Sequence, residues 1–280
     1  GSAAGARTPS HIAGTSTARE IRMSDYTRDE MMTVAAARLL QNGQVCFVGI
    51  GLPSAACNLA RLTHAPDLVL IYESGTIGTR PTVLPLSIGD GELAETAACV
   101  VPLPEIFSDY LQAGRIDIGF LGGAQIDRFG NLNSTVIGPY DKPRTRLPGA
   151  GGATEIAAHA KQVLIVMKAT TRSFVPKLDF QTSGGHFPGR GTSGARGGGP
   201  GIVVTDVGIL KPLPESKELA LCVTYPGIPV EEARAAIGWP LALASEIGTI
   251  EAPTASELRV LRALEARTEA AHRQPVRLPV

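Results

Sequence analysis

Four short, largely apolar runs constrain this chain most: residues 44–48, 67–72, 116–121 and 162–168. Each has the length of a strand, and the run 67–72 is a continuous series of Leu, Val, Ile and Tyr after its first residue. Strands without polar alternation are covered on both faces, the situation of a parallel sheet between layers of helices. Helix-length segments separate them. Thr27 can cap a helix through Asn42 with Met32, Ala35, Leu39 and Leu40 as its apolar stripe and Gly43 as its stop. A second helix is expected over 54–63, ended by Pro66, a third from Pro104 to about Ala113, and a fourth opened by Gly149 to Gly152 and running through Lys161. The alternation predicts an α/β fold with an open, mainly parallel sheet flanked by helices. Later runs, 202–205, 208–210 and 219–224, are short and hairpin-like, so the second half should be more mixed, with last helices at 231–237 and 254–267.

A chain of 280 residues can bury a full core. Residues 1–22 have no apolar core, open on Gly1-Ser2 like a cleavage scar, and are expected to be a tag or disordered leader. Residues 23–280 are then a single domain, with the glycine-dense stretch 183–201, which holds His186, Arg190 and Arg196, as a long mobile loop. Lys plus Arg and Asp plus Glu both number 26, so the basic excess of a nucleic-acid binder is missing. The apolar runs are far too short to span a bilayer, so no membrane is expected as partner. Cys46, Cys57, Cys99 and Cys222 are scattered, without metal-ligand or disulfide spacing, which points to the cytoplasm.

Glu73 stands out because it directly follows the buried run 67–72 and starts the turn Glu73-Ser74-Gly75. Ligands of parallel α/β sheets bind at the carboxyl ends of strands, so a carboxylate there, beside a glycine that lets backbone approach a ligand, is placed to attack or deprotonate a substrate. A local cap or ion pair is the plainer role. Gly149-Ala150-Gly151-Gly152 before a helix exposes backbone N–H groups that can hold a phosphate or an oxyanion, or it simply makes a tight turn. In the polar stretch after residue 121, Gln125, Asn131 and Asn133 are candidate ligands. Cys57, after the Gly49 to Pro53 loop, either faces the same cleft or is a small buried hydrophobe. His64, His159 and His186 share no helix face at ligand spacing, so no metal site is expected.

Tyr72-Glu73-Ser74-Gly75, Gly122-Gly123-Ala124-Gln125-Ile126-Asp127, Gly130 to Thr135 and Gly149 to Ala153, in this order, resemble the β subunit of glutaconate CoA-transferase, a class I CoA-transferase. The likeness runs from about Ser24 to the last helix and includes Asn42 to Val45, Gly51-Leu52-Pro53 and Val203 to Lys211. It implies a two-subunit enzyme, commonly α2β2, whose α-type partner completes the cleft. It also implies that Glu73 is the nucleophile: its carboxylate attacks an acyl-CoA thioester and ends as a glutamyl-CoA thioester, with no metal and no cofactor beyond the coenzyme A of the substrate. Gly151 and Gly152 would then match the oxyanion loop, with Cys57, Ser74, Gly75, Gln125 and Asn133 around the substrate. The same scaffold carries cofactor-free decarboxylases of glutaconyl-type CoA thioesters and hydrolases, and a non-catalytic structural subunit is the third alternative.

Overall fold

The computed structural model describes residues 25–187, 190 and 194–273, and the expected leader lies outside them. Thr27 opens α1 (Arg28–Arg38) through a reciprocal box, accepting from Glu30 N while the Glu30 carboxylate accepts from Thr27 N at 2.7 Å. Then come β1 (Val45–Phe47), α2 (Leu52–Leu62), β2 (Val69–Ile71), β3 (Thr76–Ile77), α3 (Gly91–Glu95) and β4 (Cys99–Val100). A helical turn, α4 (Leu103–Glu105), runs into a π-helix over Ile106–Gln112 and on to β5 (Ile118–Leu121). Two small hairpins follow, β6 (Gln125–Ile126) with β7 (Leu132–Asn133) and β8 (Val136–Ile137) with β9 (Thr145–Arg146). The chain continues as α5 (Ala153–His159), β10 (Gln162–Val166), β11 (Pro200–Val204), β12 (Gly208–Pro212), β13 (Leu219–Thr224), α6 (Val230–Ala236), β14 (Ala242–Thr249) and α7 (Ala255–Arg273).

Ten of these strands form one sheet in the order β14-β13-β12-β11-β10-β5-β1-β2-β3-β4. Its centre, β2-β1-β5-β10-β11, is parallel throughout, and these are the strands drawn from the four apolar runs and the first of the later ones. Towards the margins β3 and β12 reverse, and β13 with β14 forms a second parallel pair. The chain leaves β1 for β2 on one side and later fills β5 on the other. Because parallel crossovers are right-handed, α2 covers one face while the π-helix and α5 cover the opposite one. Winding therefore reverses at β1, and a crevice opens at the carboxyl ends of β1, β2 and β5.

α5 sits unusually close to the sheet. A methyl on Gly119 of β5 would lie 2.5 Å from Ile156 and 2.8 Å from Ala160, so only a glycine admits the helix there. Three elements depart from the sequence reading. The helix expected over 104–113 is π rather than α. β14 arises from a stretch with no strand signal, because an edge strand that is half exposed carries no buried run. The last helix extends to Arg273, since its outer face is solvated and needs only Leu258, Leu261 and Leu264 inside. The described part of 183–201 lies along α5. Arg190 donates to the carbonyls of Gly184, Gly185 and Ala157, Gly197 N to Ala158 O at 2.8 Å and Gly198 N to Lys161 O at 2.9 Å.

Candidate active site

Glu73 occupies the corner of a tight turn. Gly75 N donates to Tyr72 O at 3.1 Å and Tyr72 N to Thr76 O at 3.1 Å, so Glu73 and Ser74 form the tip between β2 and β3. Gly75 has φ +102°, and a methyl on it would meet Val101 O at 2.0 Å, so the tip can form only around glycine. Beneath it Tyr72 is fully buried, its hydroxyl sharing a 2.8 Å hydrogen bond with Ser54 Oγ of α2. Burial pushes this phenol well up, against the pull of the Ser54 bond, so it stays neutral. The carboxylate of half-buried Glu73 turns away from this floor and makes no hydrogen bond among the described residues.

It turns towards the glycine loop. A methyl on Gly151 would lie 3.7 and 3.9 Å from the two Glu73 carboxylate oxygens, and one on Gly152 would lie 3.0 Å from Oε1. The structure thus brings Glu73, Gly151 and Gly152 together from elements far apart in the chain. Gly152 is the N-cap of α5, and neither its N–H nor that of Gly151 donates a hydrogen bond among the described residues. Gly151 has φ +49°, a conformation that keeps this loop to glycine. The same face of Gly152 also meets Phe107, whose ring atoms Cζ and Cε1 would be 2.7 and 2.8 Å from a methyl there. Phe107 in turn packs against Phe47 at the end of β1, with ring centroids 6.0 Å apart. Nothing in the sequence reading singled out Phe107. The signal available was a phenylalanine just past a Pro-x-Pro start, which is no more than ordinary helix chemistry.

The other candidate residues divide. Ser74 lies beside Glu73, and its buried Oγ has no partner among the described residues. Gln125 and Asn133 sit on the β6–β7 hairpin. They face each other across it, with Asn133 Nδ2 donating to Gln125 Oε1 at 2.8 Å and to Val136 O at 2.7 Å. Gln125 Nε2 is spent on Asp179 at 3.3 Å, and Asn133 Oδ1 accepts from Thr135 N. Both amides therefore hold the chain. What they hold is Ser134, whose Oγ donates to Gly149 O at 2.8 Å while its carbonyl accepts from Gly149 N at 2.9 Å. Asn131 is consumed likewise by Asp127 and Gly185. Cys57 is fully buried. It points into α2's buried side against Cys46, and burial first, then that neighbour, pushes its thiol far up. His64 reaches Leu40 O, His159 pairs with Glu155, and His186 bonds Pro200 O. Among the described residues no group of three or more His, Cys, Asp or Glu side chains is arranged to hold a metal ion. No helix among them is long and apolar enough to cross a membrane.

A carboxylate without a hydrogen-bonded partner, set against a loop of free backbone donors at a sheet's switch point, suits attack on a carbonyl whose oxygen the donors receive. Known proteins share the arrangement's scaffold. The chain is 60% identical over 255 residues to the β-type subunit of 3-oxoadipate CoA-transferase from Pseudomonas knackmussii, covering 90% of this chain and 98% of that one. The crystal structure of glutaconate coenzyme A-transferase from Acidaminococcus fermentans superposes with a TM-score of 0.82 at 36% identity, over 90% of this chain and 99% of that chain. The decarboxylase AibA/AibB superposes with a TM-score of 0.75 at 25% identity, over 87% of this chain and 98% of its own. The family model described as Coenzyme A transferase matches residues 29–235, most of the chain, and the protein belongs to that family.

Proposed function

We propose that this chain is the β-type subunit of an enzyme that moves CoA between carboxylic acids through a thioester on Glu73. The observation that carries the reading is the meeting of the Glu73 carboxylate with the free N–H groups of Gly151 and Gly152. A Glu73 oxygen attacks the thioester carbonyl, and CoA thiolate leaves to give a mixed anhydride. The thiolate then attacks the Glu73 carbonyl, releasing the first acid and leaving a glutamyl-CoA thioester. The acceptor acid runs the same two steps in reverse, so no metal or cofactor is needed. The glycine amides receive the oxyanion of each addition, and one such donor is typically worth about 3 kcal/mol.

Several further points belong to the same reading. Ser74 faces the acid beside Glu73, whereas Cys57, Gln125 and Asn133 act as structural residues. An α-type partner completes the cleft, in an α2β2 assembly. The 60% identity to a 3-oxoadipate enzyme supports a 3-oxo dicarboxylic acid of that kind as the substrate, in place of the glutaconate that the sequence motifs first suggest. Four free cysteines, one of them exposed, support a reducing compartment such as the cytoplasm.

The test uses the chain purified with its α-type partner. Incubated with 3-oxoadipyl-CoA and no acceptor, then reduced with borohydride, it should carry the modification on the peptide that holds Glu73. Glu73→Gln should lose both the modification and CoA exchange, by about 10³-fold or more. Full exchange in Glu73→Gln, or carbon dioxide release with no modified peptide, would overturn the reading, the latter in favour of a decarboxylase.

A further inference from the structure

The π-helix has a purpose that the fold alone does not supply. Coils of this kind make up well under about 1% of residues in soluble proteins and cluster at functional sites. Ile106 and Leu111 are both fully buried, although five residues apart. At 3.6 residues per turn they would point about 140° apart, so an α-helix could not bury both on one side. The wider coil seats both in the core and leaves Phe107, between them and the crevice, only half buried. Its ring edge occupies the space a side chain on Gly152 would fill and packs on Phe47, while the Glu73 carboxylate borders the same space. A large, half-buried apolar ring therefore stands beside the one group whose activated form water destroys.

We propose that Phe107 shields the acylated Glu73 from water and so sets the balance between transfer and hydrolysis, an inference that rests on the thioester reading above. The competing steps differ only in the nucleophile. An acid's carboxylate oxygen attacks the Glu73 carbonyl, the C–S bond breaks, and thiolate leaves to give the anhydride. A water oxygen attacks the same carbonyl, the same bond breaks, and Glu73 returns to carboxylate with release of the CoA thiol and one proton. An aromatic edge offers no hydrogen bond to orient that water, and its volume occupies the approach over Gly152. The ring is thus a shielding residue that takes no part in bond making.

Wild type, Phe107→Leu and Phe107→Ala are compared in the complex with the α-type partner. Free CoA formed without acceptor is measured against CoA delivered to acceptor acid. In Phe107→Ala the ratio of hydrolysis to transfer should rise at least about tenfold, equivalent to about 1.4 kcal/mol between the two barriers. Phe107→Leu, which keeps apolar volume and protects against misfolding of the smaller variant, should show a smaller rise in the same direction. If hydrolysis and transfer fall by the same factor in both variants, or the ratio stays fixed, shielding is overturned. Trapping the wild-type thioester on Glu73 separates the two ideas. A trapped thioester with an unchanged ratio sinks the shielding alone, whereas no thioester sinks the underlying reading and shielding with it.

Discussion

At the scale of single residues, the site is sorted by what each polar atom already holds. Glu73 and the amides of Gly151 and Gly152 hold nothing among the described residues, whereas Gln125, Asn131 and Asn133 are each bonded through both their side-chain oxygen and nitrogen. The same sorting separates the cysteines. Cys57 is fully buried, with its thiol pushed up by desolvation and Cys46, while Cys99 sits exposed on β4. A thiol reagent at mildly alkaline pH should therefore modify Cys99 in the folded protein and reach Cys57 only after unfolding. Rapid labelling of Cys57 in the native chain would contradict its position under the crevice. Much of this scale was legible in the sequence. A glutamate directly after a buried strand and a glycine cluster before a helix are local signals with physical reasons. The meeting of the two is tertiary, and polar side chains look alike in sequence whether they await a ligand or hold a hairpin.

Among elements, the glycine loop depends on a hairpin that never touches Glu73. Ser134 binds both polar groups of Gly149, and Ser134 N donates to Thr182 Oγ1 at 2.9 Å. Removing the hydroxyl frees one side of this clamp. Ser134→Ala should cost about 1 kcal/mol of stability, the ordinary worth of one hydrogen bond. It should also lower kcat about tenfold by loosening the position of the Gly151 and Gly152 amides, with KM changed far less. An unchanged kcat would separate the clamp from the chemistry. The parallel centre of the sheet was readable because covered strands cannot carry polar alternation. The π-helix was not, since π and α coils use the same residues, and only packing on Ile106, Leu111 and Gly152 chooses between them. β14 was missed because its exposed positions follow no fixed period.

Across the whole molecule, α7 straps the far end of the chain back onto α1. Arg38 forks onto Glu257, donating Nε to Oε1 and Nη2 to Oε2, both at 2.7 Å, and reaches the carbonyls of Glu251 and Ala252 as well. Arg262 makes the matching pair with Glu30. For Glu257 burial works upward, but the Arg38 fork and Thr254 outweigh it and hold the carboxyl below its ordinary value. For Glu30 the Arg262 bond dominates in the same direction. Carboxyls lowered by folding stabilise the folded state above their unfolded value and lose that contribution as protons return. The strap should hence weaken as pH falls below 4.5. Arg38→Ala should cost about 1–2 kcal/mol at neutral pH, for a fork only partly shielded from water. Its stability should also decline less steeply in acid than that of the wild type. Parallel acid curves for the two proteins, followed by thermal unfolding, would disprove the strap's role.

The clamp between Ser134 and Gly149 has a mechanical side as well. It pinches residues 135–148 into a closed loop whose hairpin tip, around Tyr140 and Asp141, is exposed and is braced separately by Tyr140 stacking on Phe180 and Gly138 N donating to Asp179. The segment is set apart from the Glu73 carboxylate although it is covalently continuous with Gly151 and Gly152. An insertion or an attached probe at the tip should then leave the glycine loop a few residues downstream in register.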